Sequence, residues 1–185
     1  LLVKDSKSAD LPELVPQQFR KLRPWVHHGW EMVLIAAELC RPNSRLMLRG
    51  EQNFSTNYQR NCKEALLAWN WEPDYLQKTL DNIRREAIYE DKKTWLASHK
   101  AFPGVPERLN ELHAEGYDLA ILTTKSSEFT AELLDHFHIQ PTHLFGYESG
   151  SKPNILSQLK TTHCLKGFIE DRRATLETVL TSSDL

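Results

Sequence analysis

The chain has 185 residues, a formal net charge of −2, 26% charged and 40% hydrophobic residues. Acids and bases are intermixed, which excludes the one-signed field of a general nucleic-acid binder, and no apolar stretch approaches the roughly 18 residues that cross a bilayer. Cys40, Cys62 and Cys164 are far apart and lack a C-x-x-C spacing, so neither a disulfide framework nor a zinc knuckle is expected; a reducing, cytoplasmic setting and a small-molecule partner are.

Residues 1–11 are polar and read as a linker or frayed end. From Pro12 the pattern turns helical, with Leu14, Phe19 and Leu22 as a first stripe broken at Pro24. Trp30, Val33, Leu34, Ala37 and Leu39 form a second stripe that stops before Pro42. The break at 24–29 frees Arg23, His27, His28 and Glu31 from the helical pattern, which makes them the first place to look for substrate contacts. His27 and His28 lack acid or cysteine partners at ligand spacing, so metal binding is not expected there. A connection at 43–50 leads to a third helix at 51–69, marked by Phe54, Tyr58, Cys62, Leu66 and Trp69. Pro73 starts a fourth, predicted to reach Ser98 with Leu76, Leu80, Ile83, Ala87 and Trp95 on its inner face. Trp30, Leu34, Leu66, Leu80 and Trp95 are expected to bury together.

After Phe102 the pattern changes to alternating helix and strand, which places a domain boundary near 99–102: an all-helical unit at 1–101 and an α/β unit at 102–185. A helix carrying Leu109, Leu112 and His113 closes at Gly116. The run Leu119-Ala120-Ile121-Leu122 then stops at Thr123, Thr124 and Lys125, as a strand buried on both faces with a polar tip. Ser126 or Ser127 can cap the following helix, with Glu128 in its first turn. That helix ends near His136-Phe137-His138, where histidines suit the helix dipole. Further strands are predicted at about 144–147 and 167–170, and the turn-rich loop between them brings Lys152-Pro153 to a helix start.

Three successive strand-to-helix junctions therefore carry a hydroxyl, an ammonium and a carboxylate pair: Thr123, Lys152 and Glu170-Asp171. In a parallel sheet such junctions share one edge, where ligands bind. A hydroxyl and helix-start amides hold phosphate oxygens, a lysine offsets the anion, and acids hold Mg²⁺, which prefers oxygen ligands. Each residue alone has a plainer use: Thr123 as a strand-end hydroxyl bonded to the next turn, Lys152 as a solvated charge, Asp171 as a helix cap paired with Arg172 or Arg173. Their order along the chain favours the joint reading.

Four stretches of this half resemble the haloacid dehalogenase-like hydrolases, and within them the phosphoglycolate phosphatase-like group: Phe102-Pro103-Gly104-Val105, Ile121-Leu122-Thr123-Thr124-Lys125, Lys152-Pro153-Asn154, and Gly167-Phe168-Ile169-Glu170-Asp171-Arg172. The resemblance implies a Rossmann-like parallel sheet with helices on both faces and a helical cap formed by the N-terminal helices. It also implies a Mg²⁺-dependent phosphatase acting on a small phosphorylated metabolite through an aspartyl-phosphate. Thr123 and Thr124 match the phosphate-binding hydroxyls, Lys152 the catalytic lysine, Asp171 and Glu170 the metal-binding acids. The family's nucleophile lies in an Asp-x-Asp segment on a strand before the cap, and these 185 residues contain no Asp-x-Asp. Thr175 stands where many relatives have a second acid. The resemblance thus points to a fragment without its nucleophile strand, inactive by itself; a non-catalytic binding domain derived from the same fold and a haloacid dehalogenase are the alternatives.

Overall fold

The computed structural model describes residues 17–182, which fall into two units divided between Glu90 and Asp91. The linker expected at 1–11 and the helix start at Pro12 lie outside the described residues.

The first unit is helical throughout. Helix α1 (Gln17–Leu22) passes through a 3-10 turn (Arg23–Trp25) into α2 (Gly29–Cys40), then α3 (Arg45–Thr56), α4 (Tyr58–Trp69) and α5 (Pro73–Ala97). Apolar positions at helical spacing pack Leu22, Leu34, Ile35, Leu46, Phe54 and Leu76 at or near zero exposure, the burial that stabilises most short helices. Buried Glu38 ties three of the helices together. Glu38 accepts from the indole Nε1 of Trp69 at 2.8 Å and from the Leu46 amide at 3.4 Å, while Trp69 stacks on Trp71 with ring centroids 4.5 Å apart and planes 14° from parallel. The Arg41 guanidinium lies 4.8 Å from the Trp69 ring.

Several boundaries differ from the sequence expectation. The connection at 43–50 is instead largely helix, because the Ser44 hydroxyl caps α3 by accepting from the Met47 amide at 3.1 Å. The predicted single helix at 51–69 is two helices, parted at Asn57, and α3 is itself interrupted at Gly50, whose φ of 78° and ψ of 163° are non-helical. Helix α5 kinks at Asp91 (φ −154°, ψ 83°). There the Asp91 carboxylate accepts from the Thr94 amide at 3.0 Å and so caps the last turns as a fresh helix start. Trp95, expected to bury with Leu34 and Leu66, is not part of the first unit's core: it belongs to the second unit and packs on His99, 4.6 Å between ring centroids.

The second unit contains α6 (Val105–Ala114), β1 (Ala120–Leu122), α7 (Ser127–His136), β2 (His143–Phe145), a 3-10 turn (Tyr147–Ser149), α8 (Lys152–Lys160) and α9 (Arg173–Ser182). The strands are parallel, with Ala120 opposite His143 and Leu122 opposite Phe145. Phe129, Ile155, Leu156 and Val179 are its most buried apolar side chains. Among the described residues the sheet has two strands rather than the three predicted. Residues 167–170 form no ladder, and Ile169 is 94% exposed. Strand structure is a relation between segments, and an apolar run does not by itself supply the pairing. Nor is β1 buried on both faces: Ala120 is exposed and Ile121 and Leu122 are half-buried.

Candidate functional site

The polar tip of β1 is built by the turn that leaves it. The Thr123 amide continues the ladder by donating to the Phe145 carbonyl at 2.9 Å, while the Thr123 hydroxyl accepts from the Lys125 amide at 3.1 Å. That bond folds the chain away from the strand direction, as Thr side chains do at turns. The loop after β2 is tied to it: the Tyr147 amide donates to the Lys125 carbonyl at 2.9 Å, and Glu148 accepts from both the Ser127 amide, at 2.9 Å, and the Ser127 hydroxyl. The approach is close enough that a Cβ on Gly146 would clash with the Ser127 backbone nitrogen. Burial alone would raise the Glu148 carboxyl, but the two Ser127 donors outweigh it and hold it below its usual range. Both loops leave the carboxyl ends of parallel strands, the edge where ligands bind in such sheets.

Helix α8 begins at Lys152, with Pro153 in its first turn and the Ser151 hydroxyl accepting from the Asn154 amide at 3.4 Å. The Lys152 ammonium is ion-paired with Glu170; their side chains are 24% and 5% exposed. Glu170 also accepts from the Arg172 amide at 3.2 Å and shares a hydrogen bond with Asp171. Burial pushes the Glu170 carboxyl up, yet Lys152 and these bonds bring it down below its ordinary value. Lys152, Glu170 and Asp171 are thus gathered in one cluster. Thr123 and exposed Thr124 lie on the loop hydrogen-bonded to the segment that leads into Lys152.

An additional group emerges at the start of α7. The Ser126 hydroxyl, in a residue only 8% exposed, is buried without a hydrogen-bond partner. Helix starts leave backbone amides open to anions, so an unpaired donor beside them suits an oxyanion. The sequence marks Ser126 as a helix cap, but nothing in it tells that the hydroxyl is left unpaired. Glu148 likewise has no signal in the sequence beyond its turn-rich loop.

In the first unit the four proposed substrate residues have unequal freedom. Arg23 and His28 are exposed, and the His28 ring stacks on Trp30 at 6.2 Å. His27 is half-buried, 6.3 Å from the Tyr58 ring. Glu31 is buried, and its carboxylate accepts from the His27 amide at 2.5 Å, the His28 amide at 3.2 Å and the Tyr58 hydroxyl at 3.1 Å. It therefore closes the N-terminus of α2, a capping role read back from the third helical position. Burial, with Cys62 and Glu31 nearby, drives the Tyr58 phenol far above its ordinary value, and burial pushes the Cys62 thiol up to about 12. Both stay neutral and serve as packed polar groups.

Residues 54–154 match the family model of the haloacid dehalogenase-like hydrolases. One similar curated protein is a phosphoglycolate phosphatase of Nitrosospira multiformis, 44% identical over 68 residues that cover 32% of this chain and 30% of the relative. Another is a phosphoglycolate phosphatase of Aliivibrio fischeri, 41% identical over 59 residues covering 29% and 25%. The chain thus spans less than a third of the length of the curated relatives it matches. No solved structure matches it.

Proposed function

Because the chain belongs to the haloacid dehalogenase-like hydrolases, we propose that it forms part of a phosphatase for a small phosphate monoester, with phosphorylated short-chain acids such as phosphoglycolate as the substrate class that the relatives' names suggest. The observation that carries this reading is the cluster of Lys152, Glu170 and Asp171, beside strand-end loops that present Thr123 and Thr124. In this reading the Thr123 and Thr124 hydroxyls hold phosphate oxygens, and Lys152, kept charged and aimed by Glu170, offsets the negative charge of the transferring group.

The donors fit a hard divalent cation. Asp171 offers exposed carboxylate oxygens and Glu170 is bonded to it, and Mg²⁺ is commonly held by one or two carboxylates with waters completing the shell. Bound there, Mg²⁺ would supply charge neutralisation at the phosphoryl oxygens. In this reading the nucleophile is the carboxylate of the family's Asp-x-Asp segment, which these 185 residues do not contain. Its oxygen forms a bond to phosphorus as the ester oxygen departs, and water then cleaves the aspartyl-phosphate. Arg23, His27 and His28 remain the proposed substrate-selecting residues, whereas Glu31 acts by holding the 27–28 backbone.

The test is hydrolysis of a generic phosphate ester with Mg²⁺. Purified residues 1–185 should show none, a version joined to an upstream Asp-x-Asp strand should show it, and Asp171→Asn in that version should remove most of it. Hydrolysis by residues 1–185 alone would place the nucleophile within the chain. A correctly folded restored protein without activity would favour a binding module.

A further inference from the structure

At the opposite end of β2 from the phosphate-binding loops, His143 and His163 face each other with their Nε2 atoms 3.3 Å apart. His143 opens the strand, opposite Ala120, and His163 follows the last turn of α8. Both are half-buried, and the rings stand edge to face, 81° between planes, with centroids 5.0 Å apart. With metal–nitrogen bonds of about 2.0–2.1 Å, two imidazoles at a tetrahedral angle hold their nitrogens about 3.3–3.4 Å apart, so the pair already has the spacing that a shared ion requires.

A second contact, at Nδ1 of His163, suits a ring whose Nε2 binds an ion. The Thr162 hydroxyl contacts His163 Nδ1 at 2.7 Å and donates to the Leu159 carbonyl at 3.3 Å. In the tautomer protonated at Nδ1, with the Thr162 proton on that carbonyl, the hydroxyl accepts from Nδ1–H and leaves the Nε2 lone pair of His163 on the side of His143. An outer partner that orients a ring in this way is the usual companion of a metal-bound histidine.

We propose that His143 and His163 form a two-histidine site for a borderline divalent ion such as Zn²⁺ or Ni²⁺, the ions that imidazole favours. Among the described residues no group of three or more His, Cys, Asp or Glu side chains forms a metal site, so water completes the coordination and the site is an open one. Its mechanical effect is to join the start of β2 to the end of α8. The ion binds the folded pair in preference to the unfolded chain, so it stabilises by mass action the fold of the segment that carries Lys152. The site draws only on residues of the second unit and does not depend on the phosphatase reading.

Titration of the full 185-residue chain with zinc or nickel chloride, followed by calorimetry and thermal melting, tests this. One ion should bind and raise the melting temperature. His143→Ala and His163→Ala should each weaken binding at least tenfold, and Thr162→Val, which keeps both rings, should weaken it by about 10-fold or more. A His113→Ala variant, at an exposed histidine of the same unit, should bind as the parent does. Cu²⁺ added to the parent should give an electron paramagnetic resonance spectrum with coupling to two nitrogens, which does not rely on any variant folding. Absence of saturable binding, coupling to a single nitrogen, or equal affinity in the folded His163→Ala protein would overturn the site and leave a plain imidazole–imidazole hydrogen bond.

Discussion

Glu170 is a carboxylate with 5% side-chain exposure, held charged by an ammonium. Because its folded pKa is lowered, the pairing contributes full stability above the unfolded carboxylate value, about 4.3, and loses it as pH falls through the folded value. Glu170→Gln should cost about 1–3 kcal/mol in urea melts at pH 7, since Lys152 keeps partial access to water, and the gap from the parent should shrink in melts near pH 3. A pH-independent gap would assign the loss to packing rather than charge. Glu31 makes a different case: three donors converge on it, so Glu31→Ala should cost about 2–3 kcal/mol while Tyr58→Phe, which removes one donor, costs about 1 kcal/mol. Equal losses in the two variants would contradict the capping role. Both acids stand out in the sequence, but for different reasons. Glu170 is visible from its strand-end position. Glu31 was expected at a substrate because a residue after a helix break looks free; its capping was concealed by a histidine, rather than a serine or threonine, three positions earlier.

Gly50 interrupts α3 in a backbone region essentially reserved for glycine. No atom lies within 4 Å of an added Cβ, so Gly50→Ala tests backbone strain without a packing penalty and should cost about 1–3 kcal/mol by thermal or chemical melting. A neutral result would mean that α3 can run straight through. Helix α2 is legible because burial and the 3.6-residue period coincide in it at Val33 and Leu34, whereas α5 is legible from its apolar spacing and Pro73 start, only Leu76 of that stripe being buried. The start of α3 is less so. Its apolar residues there, Leu46, Met47 and Leu48, are consecutive rather than at helical spacing, although Ser44 carries the cap signal. The third strand was misread for a reason that periodicity cannot reveal: Phe168 and Ile169 have the composition of a strand, but composition does not supply the hydrogen-bond partner.

Across the described chain, the second unit leaves large apolar side chains uncovered, with Phe102 81% and Ile169 94% exposed. Ile169→Ser should therefore change stability by less than about 0.5 kcal/mol while reducing binding of a hydrophobic dye. A large destabilisation would show that Ile169 is covered in solution. At this scale the sequence made the change from helices to alternating elements visible, together with the order of Thr123, Lys152 and Asp171. The His143–His163 pair and the unpaired Ser126 hydroxyl were hidden, because each arises from residues or turns brought together only by folding. The first unit also carries its own optical signature. Two indoles stacked 4.5 Å apart and nearly parallel couple their electronic transitions, and one of them is pinned by a buried carboxylate. Their exciton band in the far-ultraviolet circular dichroism spectrum depends on Trp69 and Trp71 holding that stack, so its disappearance on heating records the loss of packing in the helical unit separately from the loss of helix itself.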